Sequence, residues 1–365
     1  MDLALQASLA AIADAGLVPA EIDGLACWPG RVVEMPGASP VSAWEIKDAL
    51  GLNLTWYGGG AEGPAQLSSL LNACAAIAAG YARHVLCFRA TTEAPSSNRH
   101  AGVRNEAVPR VNGWQQWLLP FDALSTANWV ALSAQRHFFD YGTTREQLAW
   151  VAINARRNAA LNPIAVYKDP LTLDAYLAAR FVSSPLCLYD CDVPVNGAVA
   201  FVVSAAAPAR DRPRPPIWVE AISGALQRSS LWDQGDLTAP AAFDAAKHLW
   251  NMTDLKPGNV DVAQLYDGFS IVTLNWLEAL GFCGRGESGT FVEGGRRIAL
   301  DGALPLNTSG GQLSGGRLHG LGLLHEAVTQ LRGDAGARQI ARPARVAAVA
   351  NGAGPLASCA LLVRD

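Results

Sequence analysis

Concentrated charge is missing from this sequence. Its 28 Lys and Arg against 32 Asp and Glu give a formal net charge of −4. No basic run gathers the cations, so a nucleic-acid surface is excluded. Paired cysteines are missing too. Seven stand at positions 27, 74, 87, 187, 191, 283 and 359. No pair has convincing zinc spacing, and an odd count does not make a disulfide framework. Cys187 and Cys191 come nearest, and read as buried thiols. No uninterrupted apolar run reaches the roughly 18 residues of a membrane span, and no signal peptide is visible. These absences point to a reducing, cytoplasmic setting, with no metal and no bound cofactor.

Hydrophobic residues and glycine are what the chain has in quantity. Half of its 365 residues are hydrophobic, enough for a large core in two domains or one large duplicated one. Glycine concentrates in residues 307–322, NTSGGQLSGGRLHGLG. Such density sacrifices local stability for φ > 0 geometry and close backbone approach. An apolar strand pattern at 297–300 precedes this loop, and a helical pattern at 323–331 follows it. A glycine-rich turn between such elements is a place for a ligand to meet the backbone. The loop holds no G-K-[ST] and no G-x-G-x-x-G, so it is neither a phosphate loop nor a dinucleotide fingerprint.

Residues 3–16 have helical periodicity with Gly16 as C-cap, and 22–28 read as a short buried strand. A helix at 41–50 and a strand at 52–57 lead to Gly58, Gly59 and Gly60. Residues 61–83 then read as one long helix, small and apolar nearly all round, which belongs in the middle of a large protein. The next strand is 85–89. Strand, glycine turn, buried helix, strand is a βαβ order and implies a parallel sheet. Residues 92–179 are less regular. They hold a polar loop at 95–109, an aromatic-rich stretch with Trp114, Trp117 and Phe121, and two helices. The first spans about 125–141 and ends at Gly142; the second, about 144–158, opens on a capping box of Thr144 and Gln147. Asn196 and Gly197 make a type I′ hairpin signal. Proline-rich 206–216 reads as a linker. Strands at 218–223, 262–265, 346–349 and 357–363, with helices at 239–250 and 270–280, then repeat the first half in outline. The expected class is α/β, with similar halves at 1–205 and 217–365 and an inserted region at 92–179.

The loop at 307–322 resembles the C-terminal active-site loop of the thiolase superfamily, particularly its lipid-transfer-protein branch. There N-x-S-G-G leads on to G-H-P. The segment opening with Tyr266-Asp267-Gly268-Phe269 carries the same likeness, which covers nearly the whole chain. It implies a thiolase-like fold of two βαβ halves, with mostly parallel central sheets between helices. It makes 92–179 the loop domain that covers the site and holds coenzyme A. Thiolase-like chains usually set a glycine-ended strand before the first helix. This chain opens on the helix, so its first sheet is expected to lack a strand.

Four catalytic positions of the family carry over, and none keeps its side chain. The nucleophilic cysteine falls at Gly60, the histidine of H-D-C-F at Tyr266, the histidine of G-H-P at Arg317, and the acid/base cysteine at Ala350 beside Asn351. A thiolase needs a thiol that accepts the acyl group and a second group that moves protons. The steroid side-chain aldolases of the branch share that loss. They resemble this chain in a tyrosine at the Tyr266 position and in the pair His319-Gly320. A second tyrosine of theirs falls near Arg317.

The resemblance therefore implies retro-aldol cleavage of a β-hydroxyacyl-CoA, a steroid side-chain thioester, releasing propanoyl-CoA or acetyl-CoA. Tyr266 would be the base, its phenol lowered by Arg317. Backbone around Gly60 and Gly352, with Asn307 and Gly311, would hold the thioester oxygen. His319 or water would return the proton to carbon. Family aldolases work with a small OB-fold, often zinc-ribbon, partner, which implies a homodimer extended to a heterotetramer. On the residues alone, Arg317 equally suits a CoA phosphate or a carboxylate, and His319 a loop hydrogen bond. Asp267 orients Arg317 or, as favoured, caps the following helix. His248, His325 and Glu326 read as helix-surface groups. A non-catalytic acyl-CoA-binding subunit is the main competing reading; a thiolase with unusual residues is the lesser one.

Overall fold

The computed structural model describes residues 1–31, 39–60, 63, 65–93, 115–123, 125–209, 214–227 and 236–365. The polar stretch at 95–109 and Trp114 lie outside the described residues. Helix α1 (Asp2–Asp14) buries Ala4, Ser8 and Ile12, spaced four apart on one face. Strand β1 (Gly24–Cys27), α2 (Ala43–Leu50), β2 (Trp56–Gly59), α3 (Ser68–Ala78) and β3 (His84–Thr92) follow. Ser42 and Glu45 form a capping box that starts α2. Strand β1 lies between β2 and β3 and runs parallel to both. Next come α4 (Gln115–Leu118), α5 (Thr126–Tyr141), α6 (Arg145–Ala160), α7 (Leu173–Leu177) and the short pair β4 (Phe181–Ser183) and β5 (Leu186–Cys187). Gly142 ends α5 in the left-handed region, and Thr144 opens α6 by accepting from Gln147 N. Strand β6 (Asn196–Ser204) returns antiparallel to β3, and a single turn, α8 (Ala206–Ala209), leads away.

The second sheet comprises β7 (Trp218–Leu226), β8 (Val262–Leu265), β9 (Val346–Asn351) and β10 (Leu356–Val363). Helices α9 (Ala242–Trp250), α10 (Ser270–Ala279), α11 (Ser288–Val292) and α12 (Leu321–Arg332) accompany it. The strand orders are β2-β1-β3-β6 and β7-β10-β9-β8. Strand β10 thus stands to β9 and β8 as β6 stands to β3 and β1. On its outer side β10 has β7; among the described residues β6 has no counterpart there.

Four expectations need correction. Residues 61–83 are not one helix, since α3 starts at Ser68 with Leu67 as its N-cap, and Ala65 sits at φ +63. Nor is α3 enclosed, because Asn72, Ala75 and Ala78 are exposed. Alanine carries little apolar area, so a face built of it reads as apolar while gaining little from burial. The enclosed helix is α10, whose residues 270–278 are all buried. Residues 297–300 form turns. The neighbour of β8 is instead 305–307, where Ala263 N donates to Pro305 O and Asn307 N to Ala263 O, both at 3.0 Å. Asn196 and Gly197 open β6, paired with Thr92 and Thr91. A hairpin needs a strand on each side, and the residues before Asn196 run along the glycine loop instead. Last, Glu326 is 1% exposed and pairs with Arg338 at 3.0 Å, whereas His248 and His325 are exposed. Among the described residues no helix is long and apolar enough to cross a membrane.

Candidate active site

The end of β8 and the glycine loop are built against each other. Asn307 spans them, taking Leu265 N on Oδ1 and donating Nδ2 to Leu265 O, both at 2.8 Å. Its amide thereby holds the end of β8, so Asn307 serves as a strut between strand and loop. Two residues past β8, the Asp267 carboxylate accepts from Gln312 N at 2.9 and 3.0 Å and from Leu313 N at 3.4 Å. It neither caps α10, whose N-cap Phe269 makes no side-chain cap, nor touches Arg317. A Cβ on Gly311 would collide with Asp267 Oδ2. The part Gly311 plays is to admit that carboxylate. Burial pushes Asp267 up to about 7, against the pull of the Gln312 and Leu313 N–H groups.

A third segment closes the site. Asp192 N donates to Gly268 O at 3.1 Å, Val193 N to Gln312 O at 3.0 Å, and Arg317 N to Val193 O at 2.7 Å. Residues 191–194 are thus stitched to the Tyr266–Phe269 turn on one side and to the loop on the other. Two carboxylates meet the Arg317 guanidinium there. Glu93 Oε2 accepts from Nε at 2.9 Å and lies 2.8 Å from NH2 in the ion pair, and Asp192 Oδ1 accepts from NH1 at 3.1 Å. Neither acid belongs to a recognisable motif. The one signal for Asp192 is the pair of acids, Asp190 and Asp192, that flanks Cys191 inside an otherwise apolar run. Burial pushes Asp192 up to about 7; Arg317 pulls it down, while Asp267 and Glu93 push it further up.

Tyr266 is 8% exposed, and its hydroxyl accepts from Gln66 Nε2 at 3.4 Å. Its ring folds over Gly268, where a Cβ would lie 2.7 Å from Cε1 and 3.2 Å from the hydroxyl oxygen. Glycine at 268 is therefore a requirement of the ring's position. Burial, and after it the Asp192 charge, raises the phenol above its ordinary value. Arg317 acts the other way and does not prevail. The expected phenolate is thus corrected to a neutral phenol, because desolvation outweighs one cation that two carboxylates already share.

His319 sits at φ +48, and its Nδ1 is 2.6 Å from Arg89 NH2. A guanidinium only donates, so Nδ1 accepts and the ring proton is on Nε2. Burial, Arg89 and Arg317 hold the imidazole well below its ordinary pKa. It is neutral, and so offers an N–H to a ligand but no imidazolium proton to carbon.

Gly352, at φ +97, follows β9, and its carbonyl accepts from Trp276 Nε1 at 3.0 Å. A Cβ there would stand 2.8 Å from that of Ala65, next to Gln66. Beside it, Asn351 Nδ2 donates to Gly320 O at 3.3 Å, and Gln312 Oε1 accepts from Gly320 N at 2.8 Å. Tyr266, Asp267, Arg317, His319 and Gly352 therefore belong to one set of packed loops. Gly60 is different. It follows β2, next to Gly30, and does not open α3, which starts at Ser68, so the helix terminus expected there is absent. Gln66 and Ala65 are the described residues of that connection that reach the site.

Three polar atoms in the site are buried without a hydrogen-bond partner among the described residues: Gln66 Oε1, Gln312 Nε2 and Asn351 Oδ1. Such atoms are costly unless a ligand or water meets them. All seven cysteines are free. Burial raises every one of them, with Cys74 and Cys187 near 11 and Cys191, Cys283 and Cys359 near 12. None is set up as a thiolate nucleophile.

Comparison with known proteins agrees with this picture. The thiolase C-terminal domain-like family matches residues 223–364. A steroid side-chain-cleaving aldolase of Thermomonospora curvata is 36% identical over 348 residues, 91% of this chain and 85% of that protein. The 17-hydroxy-3-oxo-4-pregnene-20-carboxyl-CoA lyase of Mycobacterium tuberculosis is 34% identical over 341 residues, 91% of this chain and 86% of that protein. Among solved structures, an Ltp2-ChsH2(DUF35) aldolase superposes with TM-score 0.87 at 33% identity, covering 100% of this chain and 92% of that one. A chain with these relatives along its length, and with a tyrosine and an arginine where a thiolase keeps histidines, belongs to the lipid-transfer-protein (SCP2-thiolase-like) branch of the thiolase superfamily.

Proposed function

We propose that this protein cleaves a carbon–carbon bond in a β-hydroxyacyl-CoA, a steroid side-chain thioester, by a retro-aldol reaction. The products are a ketone and a short acyl-CoA such as propanoyl-CoA or acetyl-CoA. The observation that carries this is the meeting of Tyr266, Arg317 and buried carboxyls where a thiolase needs cysteine and histidine. Tyr266 offers a neutral hydroxyl to the β-oxygen. The Gly352 turn and the His319 Nε2–H are the donors proposed for the thioester oxygen, where enolate charge develops as the bond breaks. A merely binding subunit would have no use for two carboxyls and a phenol buried at one point. Thiolase chemistry has no thiolate to start from.

We also propose a small OB-fold partner, often with a zinc ribbon, which is supported by the paired name of the structural relative, Ltp2-ChsH2(DUF35). The assembly would be a homodimer of this chain carrying two partners, in the cytoplasm. The test is to purify the chain with that partner and incubate it with steroid β-hydroxyacyl-CoAs. Mass spectrometry should find the shortened steroid ketone and an equal amount of short acyl-CoA. Release of free CoA or transfer of the acyl group to a thiol would refute the reading.

A further inference from the structure

We propose that Asp192 is the base that takes the proton of the substrate's β-hydroxyl. Tyr266 holds the same oxygen from the other side, and Arg317 is the positioning residue for Asp192. This assignment rests on the aldolase reading and names the group which that reading leaves open.

Geometry is what singles Asp192 out. Its backbone N–H is bonded to Gly268 O at 3.1 Å, and the Tyr266 hydroxyl lies over Gly268. Gly268 therefore brings the carboxyl and the phenol to the same turn. The flanking Val193 is fixed to Gln312 and to Arg317 through its own N–H and C=O, so Asp192 has backbone anchors on both sides. Arg317 holds Oδ1 at 3.1 Å. Among the described residues nothing donates to Oδ2, which leaves one oxygen to accept a proton. Glu93 also meets the guanidinium through one oxygen, Oε2, but its backbone N–H is bonded to Val195 O and not to the Tyr266–Phe269 turn.

The charged and titratable groups around Asp192 come from every neighbouring element. Glu93 lies just past β3, Tyr266 and Asp267 follow β8, and Arg317 belongs to the glycine loop. Burial among them holds the carboxyl near 7, where a general base works best at neutral pH. The step balances without a co-reactant. The β O–H bond breaks and its proton moves to Asp192 Oδ2. The oxygen electrons form the ketone C=O, and the Cα–Cβ pair becomes the thioester enolate. The proton on Asp192 then returns to the α-carbon, and the carboxylate is regenerated.

The test follows cleavage of a steroid β-hydroxyacyl-CoA by the complex with its partner, across the pH range that brackets Asp192. The wild type should show kcat/KM rising with pH to a plateau, with a midpoint of about 7. Asp192→Asn should lose at least ~10²-fold and lose the rising limb, while binding of a CoA thioester that lacks the β-hydroxyl is kept. Asp192→Glu should keep a limb, displaced, with a smaller loss. If Asp192→Asn cleaves within about threefold of wild type, well short of a general base's contribution, or keeps the wild-type limb, the assignment fails. Should Asp192→Asn not fold, Asp192→Glu decides: a displaced limb supports the assignment and an unmoved one overturns it. A wild type that cleaves nothing sinks the aldolase reading and the assignment together. A wild type that cleaves beside an unimpaired Asp192→Asn sinks the assignment alone.

Discussion

Gly311 and Asp267 compete for one space: the carboxylate of Asp267 lies where a Cβ on residue 311 would be. Gly311 is also at φ +57, which for an L side chain costs about 1–2 kcal/mol. Gly311→Ala should therefore destabilise by more than that backbone cost, because the carboxylate must leave its two amide donors. The comparison is with Gly311→Ala in an Asp267→Ala background, followed by denaturant melts. There the collision is gone and only the backbone cost remains. Equal losses in the two backgrounds would show that Asp267 is not what keeps residue 311 a glycine.

Asp267 should also give stability a pH dependence of unusual sign. Its folded value, near 7, is above its ordinary 3.8. A carboxyl raised in this way binds more protons folded than unfolded between those values. Its contribution is full below the unfolded value and is lost as pH rises through the folded one. Asp192 adds to the same trend. Melting temperatures of Asp267→Asn should consequently fall less than those of wild type as pH goes from about 4 to about 7. An identical slope in both proteins would mean that Asp267 does not titrate in that window.

The sequence reached the architecture further than it reached the chemistry. Strands such as β8, with four buried residues between polar flanks, announce themselves by composition, and caps at Thr144 and Gly142 mark the helices they bound. Helix α3 misled because alanine faces look alike whether buried or exposed. Asn196-Gly197 misled because a turn signal says nothing of whether a strand precedes it. The loop at 307–322 and Tyr266 stand out in sequence by glycine density and by position. Asp192 and Glu93 do not, since their importance arises only when segments 125 and 224 positions away bring Arg317 to them. Nor can a sequence reveal the state of Tyr266, which depends on how much water the fold excludes.

No cysteine should matter to turnover. Burial dominates at all seven and pushes each thiol up, where alkylation is slow because the thiolate is scarce. Iodoacetamide should leave the cleavage rate unchanged at neutral pH, and single Cys→Ser variants that fold should turn over at close to the wild-type rate. Rapid inactivation, with a single alkylated peptide recovered, would return the question to an acyl-enzyme mechanism.

Arg317 pulls the Asp192 carboxyl downward, and its loss should be visible in the pH profile before it is visible in stability. Arg317→Lys keeps a positive charge but not the planar fork that serves Glu93 and Asp192 together. Arg317→Gln loses the charge as well. The rising limb should move to higher pH in both, further in Arg317→Gln, because an unopposed neighbouring Glu93 raises Asp192. At the plateau, Arg317→Lys should retain more activity than Arg317→Gln. A limb that moves to lower pH would contradict the electrostatic argument, whatever the rates.

Tyr266→Phe removes one hydroxyl and keeps the ring that packs over Gly268. Folding should be little affected, since the hydroxyl's protein hydrogen bond is a long one to Gln66 at 3.4 Å. If the hydroxyl steadies the β-oxygen as the carbon–carbon bond breaks, kcat should fall by about 10²–10³-fold, the usual cost of one preorganised donor. KM should change little, because that hydrogen bond strengthens only as charge develops. The rising limb should persist, since Asp192 and not the phenol is the group that titrates there. This separates the two roles. A Tyr266→Phe enzyme that loses the limb would make the phenol the base after all, and one that turns over at the wild-type rate would remove Tyr266 from the chemistry.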